Sequence, residues 1–176
     1  MNASDKRLQR QQLRALVRLH PEADSAPVVN RLAKRLKQLD SARIVAAYMA
    51  LPGEVDLGEL FNWVTRDWVF PKVVGDGLNF YRVGNIAQDL QCGTFGIFEP
   101  KDGLERVAAT QIDLFLCPGL GFDRDGGRMG RGKGFYDRVL SDARSDARKI
   151  GVGFPHQMVD RIITDPWDIR MDEVVF

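Results

Sequence analysis

This 176-residue chain has only two cysteines and two histidines. Cys92 and Cys117 stand far apart, and His20 and His156 each sit beside a proline without a nearby cysteine or acid cluster, so no metal centre built from these residues is expected. There is no run of about 18 apolar residues, so no membrane span is expected. Net charge is nearly absent as well. Lys and Arg number 25 against 24 Asp and Glu, formally +1, which argues against a nucleic-acid coat or a polycationic membrane binder. The polar, basic start MNASDKRLQRQQLR has no apolar stretch behind it, so no signal peptide is expected and the chain is assigned to the cytoplasm.

With 44% hydrophobic and 28% charged residues, the composition is that of a globular protein rather than a disordered or collagen-like one. The length suits one domain over residues 1–176 with a real core, and no repeat or low-complexity linker divides it. The charge is uneven, however. Residues 1–43 hold ten Lys and Arg against four Asp and Glu, a basic helical arm. Residues 44–100 hold three against seven.

The arm reads as two helices. Ser4 or Asp5 is the expected cap of the first, with a stripe of Leu8, Leu13, Leu16 and Val17 flanked by Arg7, Arg10, Arg14 and Arg18, ending at His20-Pro21. Ser25 is the expected cap of the second, with Pro27 in its first turn and Val29, Leu32, Leu36 and Leu39 at helical spacing. From Ile44 to Ala50 a continuous apolar run predicts a strand buried on both faces. A turn at Pro52-Gly53, a short helix over Leu57–Val64, and a strand region at 68–74 broken by Pro71 follow. Leu78–Val83 reads as a hairpin partner after Asp76-Gly77, and residues 84–110 as mostly turns. A second buried strand is expected at Ile112–Cys117, a helix at Gly134–Ala147, and strands at Lys149–Phe154 and Glu173–Phe176. Trp63, Trp68 and Trp167 are expected in the core or a pocket wall, and both cysteines as small hydrophobes. The alternation predicts an α/β fold with a mainly parallel sheet.

The segment PGLGFDRDGGRMGRGKGFYDR at 118–138 lies between a buried strand and a helix. Its seven glycines carry a backbone-entropy penalty unless unusual φ values or a close approach to a ligand require them. In open α/β sheets this strand-to-helix turn is where ligands bind, and its N–H groups favour an anion such as a phosphate. Arg128, Arg131 and Lys133 add charge to that cradle. Two nucleotide motifs match incompletely. Gly127 to Lys133 satisfies GxxxxGK, but Gly134 stands where a P-loop has Ser or Thr, and Gly130-Gly132-Gly134 lacks dinucleotide spacing. Asp137, in the first turn of the next helix, reads either as a helix-dipole aspartate or as a magnesium ligand. Glu54 reads as a turn acid, and Arg10 and Arg14 as a solvated basic face.

GRMGRGKGFYDRVL, preceded by DLFLCPGLGFD, resembles the signature of 5-formyltetrahydrofolate cyclo-ligases. RQQLR at Arg10–Arg14, YMALPGEVDLGELF at Tyr48–Phe61, FPKV at Phe70–Val73, GTFGIFEP at Gly93–Pro100, GVGF at Gly151–Phe154 with Gln157, and WDIRMDEVV at Trp167–Val175 are similar to further family segments in the same order. The resemblance implies a Rossmann-like sheet flanked by helices and ATP- and Mg2+-dependent conversion of 5-formyltetrahydrofolate to 5,10-methenyltetrahydrofolate with release of ADP and phosphate. It implies ATP binding by Arg10, Gln11, Gln12, Leu13 and Arg14 with Arg128, Met129, Gly130, Arg131, Gly132, Lys133, Gly134, Phe135 and Tyr136. Lys133 and Arg131 are then the catalytic cations. Met49 and Glu54, with Arg131 through Phe135, bind the folate, and Asp137 and Asp172 hold Mg2+. Arg10 stands where many members have Lys, and Trp167 where His is frequent. The partners implied are small molecules, with no nucleic acid and no membrane; a monomer is expected, a dimer left open. The alternatives are another ATP- or CoA-dependent enzyme on the same sheet, and an RNA-binding or regulatory protein using the basic arm.

Overall fold

A computed structural model describes residues 3–93 and 96–176. Thr94 and Phe95 of the GTFGIFEP segment lie outside the described residues. In chain order the elements begin with helices α1 (Ala3–Arg18) and α2 (Ala26–Gln38), strand β1 (Ile44–Ala46), helix α3 (Gly58–Trp63) and strands β2 (Asp67–Val74) and β3 (Gly77–Arg82). Helix α4 (Ile86–Asp89) and strands β4 (Leu90–Cys92), β5 (Phe98–Pro100) and β6 (Arg106–Val107) follow, then β7 (Leu114–Pro118), β8 (Gly121–Phe122) and β9 (Arg128–Met129). Helix α5 (Phe135–Ser141) and strands β10 (Arg148–Val152) and β11 (Glu173–Val175) complete the chain.

Seven strands form the central sheet in the order β11-β10-β7-β1-β2-β3-β6. Every pairing from β11 to β2 is parallel, and β3 is antiparallel to both its neighbours. The β7 sequence LFLCP is buried throughout, as the unbroken apolar run predicts for a central parallel strand. Alternate side chains serve two cores. Leu114 and Leu116 pack with Val29, Leu32 and Leu36 of α2 and Leu60 of α3, while Phe115 and Cys117 pack on the opposite face with Leu140 of α5, Phe122 and Met171. A third cluster joins Leu13 and Val17 of α1 to Leu120, Met129 and Ile162.

Several local expectations change. The strand expected over Ile44–Ala50 is regular only to Ala46, although the N–H of Ala47 still donates to Val69 O. Pro71 does not break β2. It shares the side of Asp67 and Val69, whose backbone groups bond toward the β1 chain, and β1 pairing has ended before Pro71 is reached, so its missing N–H leaves no gap. Helix α5 stops at Ser141 instead of Ala147: Ser141 turns its hydroxyl back onto Arg138 O, and Asp142 and Asp146 oppose the negative end of a continued helix. Helix α1 is described from Ala3 onward, and Ser4 and Asp5 lie within it rather than at its cap. Ser25 does precede α2, but its hydroxyl accepts from the N–H of Asp56 instead of capping. Residues 84–110 hold a helix and three strands besides turns: Asn85 caps α4 by accepting from Gln88 N–H, β4 pairs with β5, and β6 pairs with β3. Leu8, Trp63, Trp167 and Cys92 are exposed. The two histidines stack on each other, ring centroids 4.2 Å apart, with Phe154 against His156.

Candidate active site

Parallel strands end in loops on one side of a sheet, and here two of those loops meet. After Ala46 the chain of β1 runs on through Tyr48, whose hydroxyl donates to Val55 O at 3.1 Å, into the turn Leu51–Glu54. Gly53 holds φ +82 there, and a methyl group at its Cα would overlap Val17 of α1. Only glycine satisfies both demands. Glu54 folds back over the turn: its Oε2 accepts the Leu51 N–H at 3.0 Å. Its Oε1 pairs with Arg131 Nε at 2.9 Å, and Arg131 Nη2 donates to Pro52 O at 3.1 Å. The Glu54 side chain is 7% exposed and that of Arg131 40%. Burial pushes the Glu54 carboxyl above its ordinary pKa, against the opposing pull of Arg131 and the Leu51 amide.

The second loop leaves β7 and carries the glycine-rich segment. Its glycines divide by task. Gly119 abuts the buried ring of Phe122, which Gly151 of β10 and Gly153 just past it also crowd, and Gly121 faces Leu13. Gly126, at φ +79, lies so close to Met171 O that no side chain fits. These are packing demands, not ligand demands. Asp123 clamps the base of the loop by accepting N–H groups from Asp125 (3.0 Å), Gly127 (2.7 Å) and Ile162 (2.7 Å). Gln157, fully buried, accepts from Phe154 N–H and donates to Gly119 O at 3.0 Å and Gly53 O at 3.3 Å. It thereby ties the Glu54 turn to the glycine loop. Sequence reasoning assigned no role to Asp123. An aspartate three residues before Gly126-Gly127 is the available signal, since it can fold a following turn onto its own carboxylate.

Helix α1 closes the site from a third side. Leu13 and Val17 seat it against Gly121 and Gly53, Arg10 Nε donates to Gly130 O at 3.2 Å, and Arg14 Nη2 donates to Arg131 O at 2.6 Å. Gln11 and Gln12 are exposed. Leu13 and Met129 are buried in the third core cluster, so any ligand contact there falls to their backbone. Two unforeseen residues fix the far end of α1: Lys6 pairs with Asp165 and Asp168, and Gln9 bonds Arg161 O and Ile163 N–H.

The three loop cations, alike in the sequence, differ in place. Arg128 is 3% exposed; it donates to Pro118 O and to Asp137 Oδ1 at 3.1 Å and lies 5.2 Å over the Tyr136 ring. It supports the loop from below and does not join an open cradle. Arg131 is engaged by Glu54. Lys133 is exposed and has no hydrogen bond or ion pair with the described residues. Gly132 lies against Arg10. Gly134 and Phe135 open α5, which at seven residues is a short helix, and Met49 packs at the edge of the α2-side core. Burial pushes the Tyr136 phenol well up, with Cys117 and Glu54 adding to the shift.

Asp137 also accepts from Ile169 N–H at 3.4 Å. Asp172 accepts from Lys149 N–H at 2.7 Å and lies 3.7 Å from Lys149 Nζ. Asp137, through Arg128, lies near Pro118 at the end of β7, whereas Asp172 lies beside Lys149, which is in register with Phe115 near the start of that strand; burial pushes the Cys117 thiol between them up to about 12. No group of three or more His, Cys, Asp or Glu able to hold a metal occurs among the described residues. Asp137 Oδ1 is engaged by Arg128 and Asp172 Oδ2 by Lys149, so each carboxylate has one oxygen left to offer a hard cation such as magnesium. A cavity of about 430 Å³ opens beside Asp172, lined also by Asp123, Gly126, Met158 and Met171; neither Glu54 nor Lys133 lines it.

A model of the 5-formyltetrahydrofolate cyclo-ligase family matches residues 2–176. Among curated relatives, the 5-formyltetrahydrofolate cyclo-ligase of Mycoplasma pneumoniae is 32% identical over 139 residues, 76% of this chain and 72% of the relative. That of Haemophilus influenzae is 27% identical over 154 residues, 84% and 82% of the two chains. Among solved structures, the Aquifex aeolicus 5,10-methenyltetrahydrofolate synthetase superposes with a TM-score of 0.79 at 33% identity, covering 94% of this chain and 88% of that one. The Mycoplasma pneumoniae 5,10-methenyltetrahydrofolate synthetase gives 0.77 at 26% identity, covering 97% and 98%.

Proposed function

The chain belongs to the 5-formyltetrahydrofolate cyclo-ligase family, and on that premise we propose how this ligase, with ATP as co-substrate, closes 5-formyltetrahydrofolate to 5,10-methenyltetrahydrofolate. The formyl oxygen is a poor leaving group. Transfer of the γ-phosphoryl to that oxygen releases ADP; N10 then attacks the activated carbon, its proton departs, and phosphate leaves to give the methenyl cation. Positioning and charge stabilisation carry phosphoryl transfer. Lys133, exposed and unpaired among the described residues, supplies the ammonium nearest the transferring group. Arg10 and Arg14, through Gly130 O and Arg131 O, hold the loop backbone toward the phosphates. Glu54 receives the N–H edge of the pterin, with Met49 in the same wall. A magnesium ion held by Asp137 and Asp172 would neutralise phosphate charge. Cytoplasmic location and a monomeric state belong to the same proposal, checked by cell fractionation and light scattering. No helix among the described residues is long and apolar enough to cross a membrane.

The observation that carries this reading is the single network in which Arg131 joins Glu54 to the loop that α1 grips. The test is to mix protein, 5-formyltetrahydrofolate, Mg2+ and ATP and to follow the near-ultraviolet band of the methenyl product. ATP-dependent growth of that band is expected. Lys133→Ala should lower kcat by a factor of about 10²–10³, as loss of one electrostatic donor does elsewhere, while leaving the unfolding midpoint in place. Full turnover in that variant would remove Lys133 from the mechanism.

A further inference from the structure

Arg131 stands on the folate carboxylate. Its guanidinium occupies Oε1 of Glu54 and the neighbouring Pro52 carbonyl, and the other oxygen of Glu54 is held by the Leu51 N–H. With the Glu54 side chain 7% exposed beneath a guanidinium that is 40% exposed, little of the carboxylate is open for two pterin N–H groups. The cover is movable. Nothing buries the Arg131 head deeply, whereas its backbone is pinned by Arg14 on its own carbonyl and by Arg10 on that of Gly130. A side-chain rotation therefore moves the charge without moving the loop. Lys133, on the phosphate side, is two residues away.

We propose that Arg131 is exchanged between the two substrate sites: the pterin edge of the folate displaces it from Glu54, and the freed guanidinium turns to the ATP phosphates beside Lys133. This rests on the reading of Glu54 as the folate carboxylate. The exchange makes each substrate strengthen the other. Folate releases a positive charge to the nucleotide site, and bound nucleotide draws the cover off Glu54, so the coupling is reciprocal. It also keeps ATP from meeting its full set of charges while the acceptor is absent.

The test uses the full chain, with 5-formyltetrahydrofolate titrated without ATP and a non-hydrolysable ATP analogue titrated with and without folate. In the wild type, folate should tighten the analogue by about fivefold, the scale of one partly exposed ion pair. Arg131→Met, which keeps the apolar stem, should bind folate alone several-fold more tightly at pH 8 and lose the coupling. Weaker or unchanged folate binding by this variant, with its circular dichroism intact, overturns the exchange and leaves Arg131 a fixed contact. Should Arg131→Met not fold, Glu54→Gln gives the second reading. With its salt bridge gone, it should bind the analogue without folate about as tightly as the wild type does with it; wild-type affinity instead would refute the proposal. Glu54→Gln also separates the two ideas, since undiminished folate binding by that variant refutes the assignment of Glu54 itself, whatever Arg131 does.

Discussion

Gly53→Ala tests whether the N-terminal arm is a fixed wall of the site. Gly53 sits at φ +82, and the added methyl overlaps Val17 Cγ1 while lying 3.5 Å from Val17 Cβ. The left-handed backbone costs an L-residue about 1–2 kcal/mol, and forcing a methyl into a packed contact costs about 1–3 kcal/mol more. The expected destabilisation is thus about 2–5 kcal/mol. The two contributions separate by a double-mutant cycle. Val17→Ala removes Cγ1 and keeps Cβ at an ordinary contact distance, so in that background Gly53→Ala should cost only the backbone part. The coupling energy is then about 1–3 kcal/mol. Val17→Ala alone should cost about 1–2 kcal/mol through lost burial. Urea denaturation of the four proteins measures the stabilities. Nucleotide binding follows the same logic: α1 pushed off Gly53 withdraws Arg10 and Arg14 from the loop, so Gly53→Ala should weaken binding of an ATP analogue and the double variant should recover part of it. An equal cost of Gly53→Ala in both backgrounds would refute the contact between α1 and the Glu54 turn.

Three further outcomes follow from the same geometry. Asp123→Ala leaves the N–H groups of Asp125, Gly127 and Ile162 without their acceptor and should cost about 3–5 kcal/mol in urea denaturation, whereas Asp123→Asn, which keeps one acceptor oxygen, should cost less. Burial raises the Glu54 pKa, so its stabilising contribution is complete below the ordinary value of 4.5 and is lost as pH rises through the folded value; a melting series from pH 4 upward should therefore favour Glu54→Gln increasingly over that window, and parallel curves would contradict the burial argument. Burial, and then His20, lowers the His156 pKa, so the stability of the stacked pair is complete above 6.5 and falls as the pH drops through the lowered value. His156→Phe, which retains a ring against Phe154, should flatten the melting temperature between pH 7.5 and 5.

The architecture was legible wherever one physical demand dominated. Unbroken apolar runs marked β1 and β7 because a strand covered on both faces has no polar side to show. The stripe through Val29, Leu32 and Leu36 marked α2 for the same reason. Boundaries were less legible because they depend on partners. Pro71 stays in β2 only because β1 pairing has already ended, and α5 stops short because Ser141 and two aspartates work against another turn. Neither fact is local to the residue. The glycine loop stood out by its composition, which concealed a division of labour. Gly119, Gly121 and Gly126 answer to Phe122, Leu13 and Met171 O, contacts across the fold that no local pattern records.

The same limit explains the three loop cations. Arg128, Arg131 and Lys133 each follow a glycine within six residues of chain and all precede Asp137, so charge counting treats them as one cradle. Position on β9 sends Arg128 inward, where Asp137 and Pro118 O compensate its charge. Arg131, just past that strand, reaches across to a buried carboxylate, and Lys133 reaches nothing among the described residues. A buried charge with its partner in place is committed, since removing either member strands the other. Arg131, itself 40% exposed, is free to swing, but the buried Glu54 that it leaves needs another donor in its place. An exposed ammonium is available at once. The proposed phosphoryl transfer between two substrates would use all three: one cation to keep the loop in shape, one to respond to the acceptor, and one to meet the phosphate. What assigns each task is the depth at which the backbone leaves the side chain.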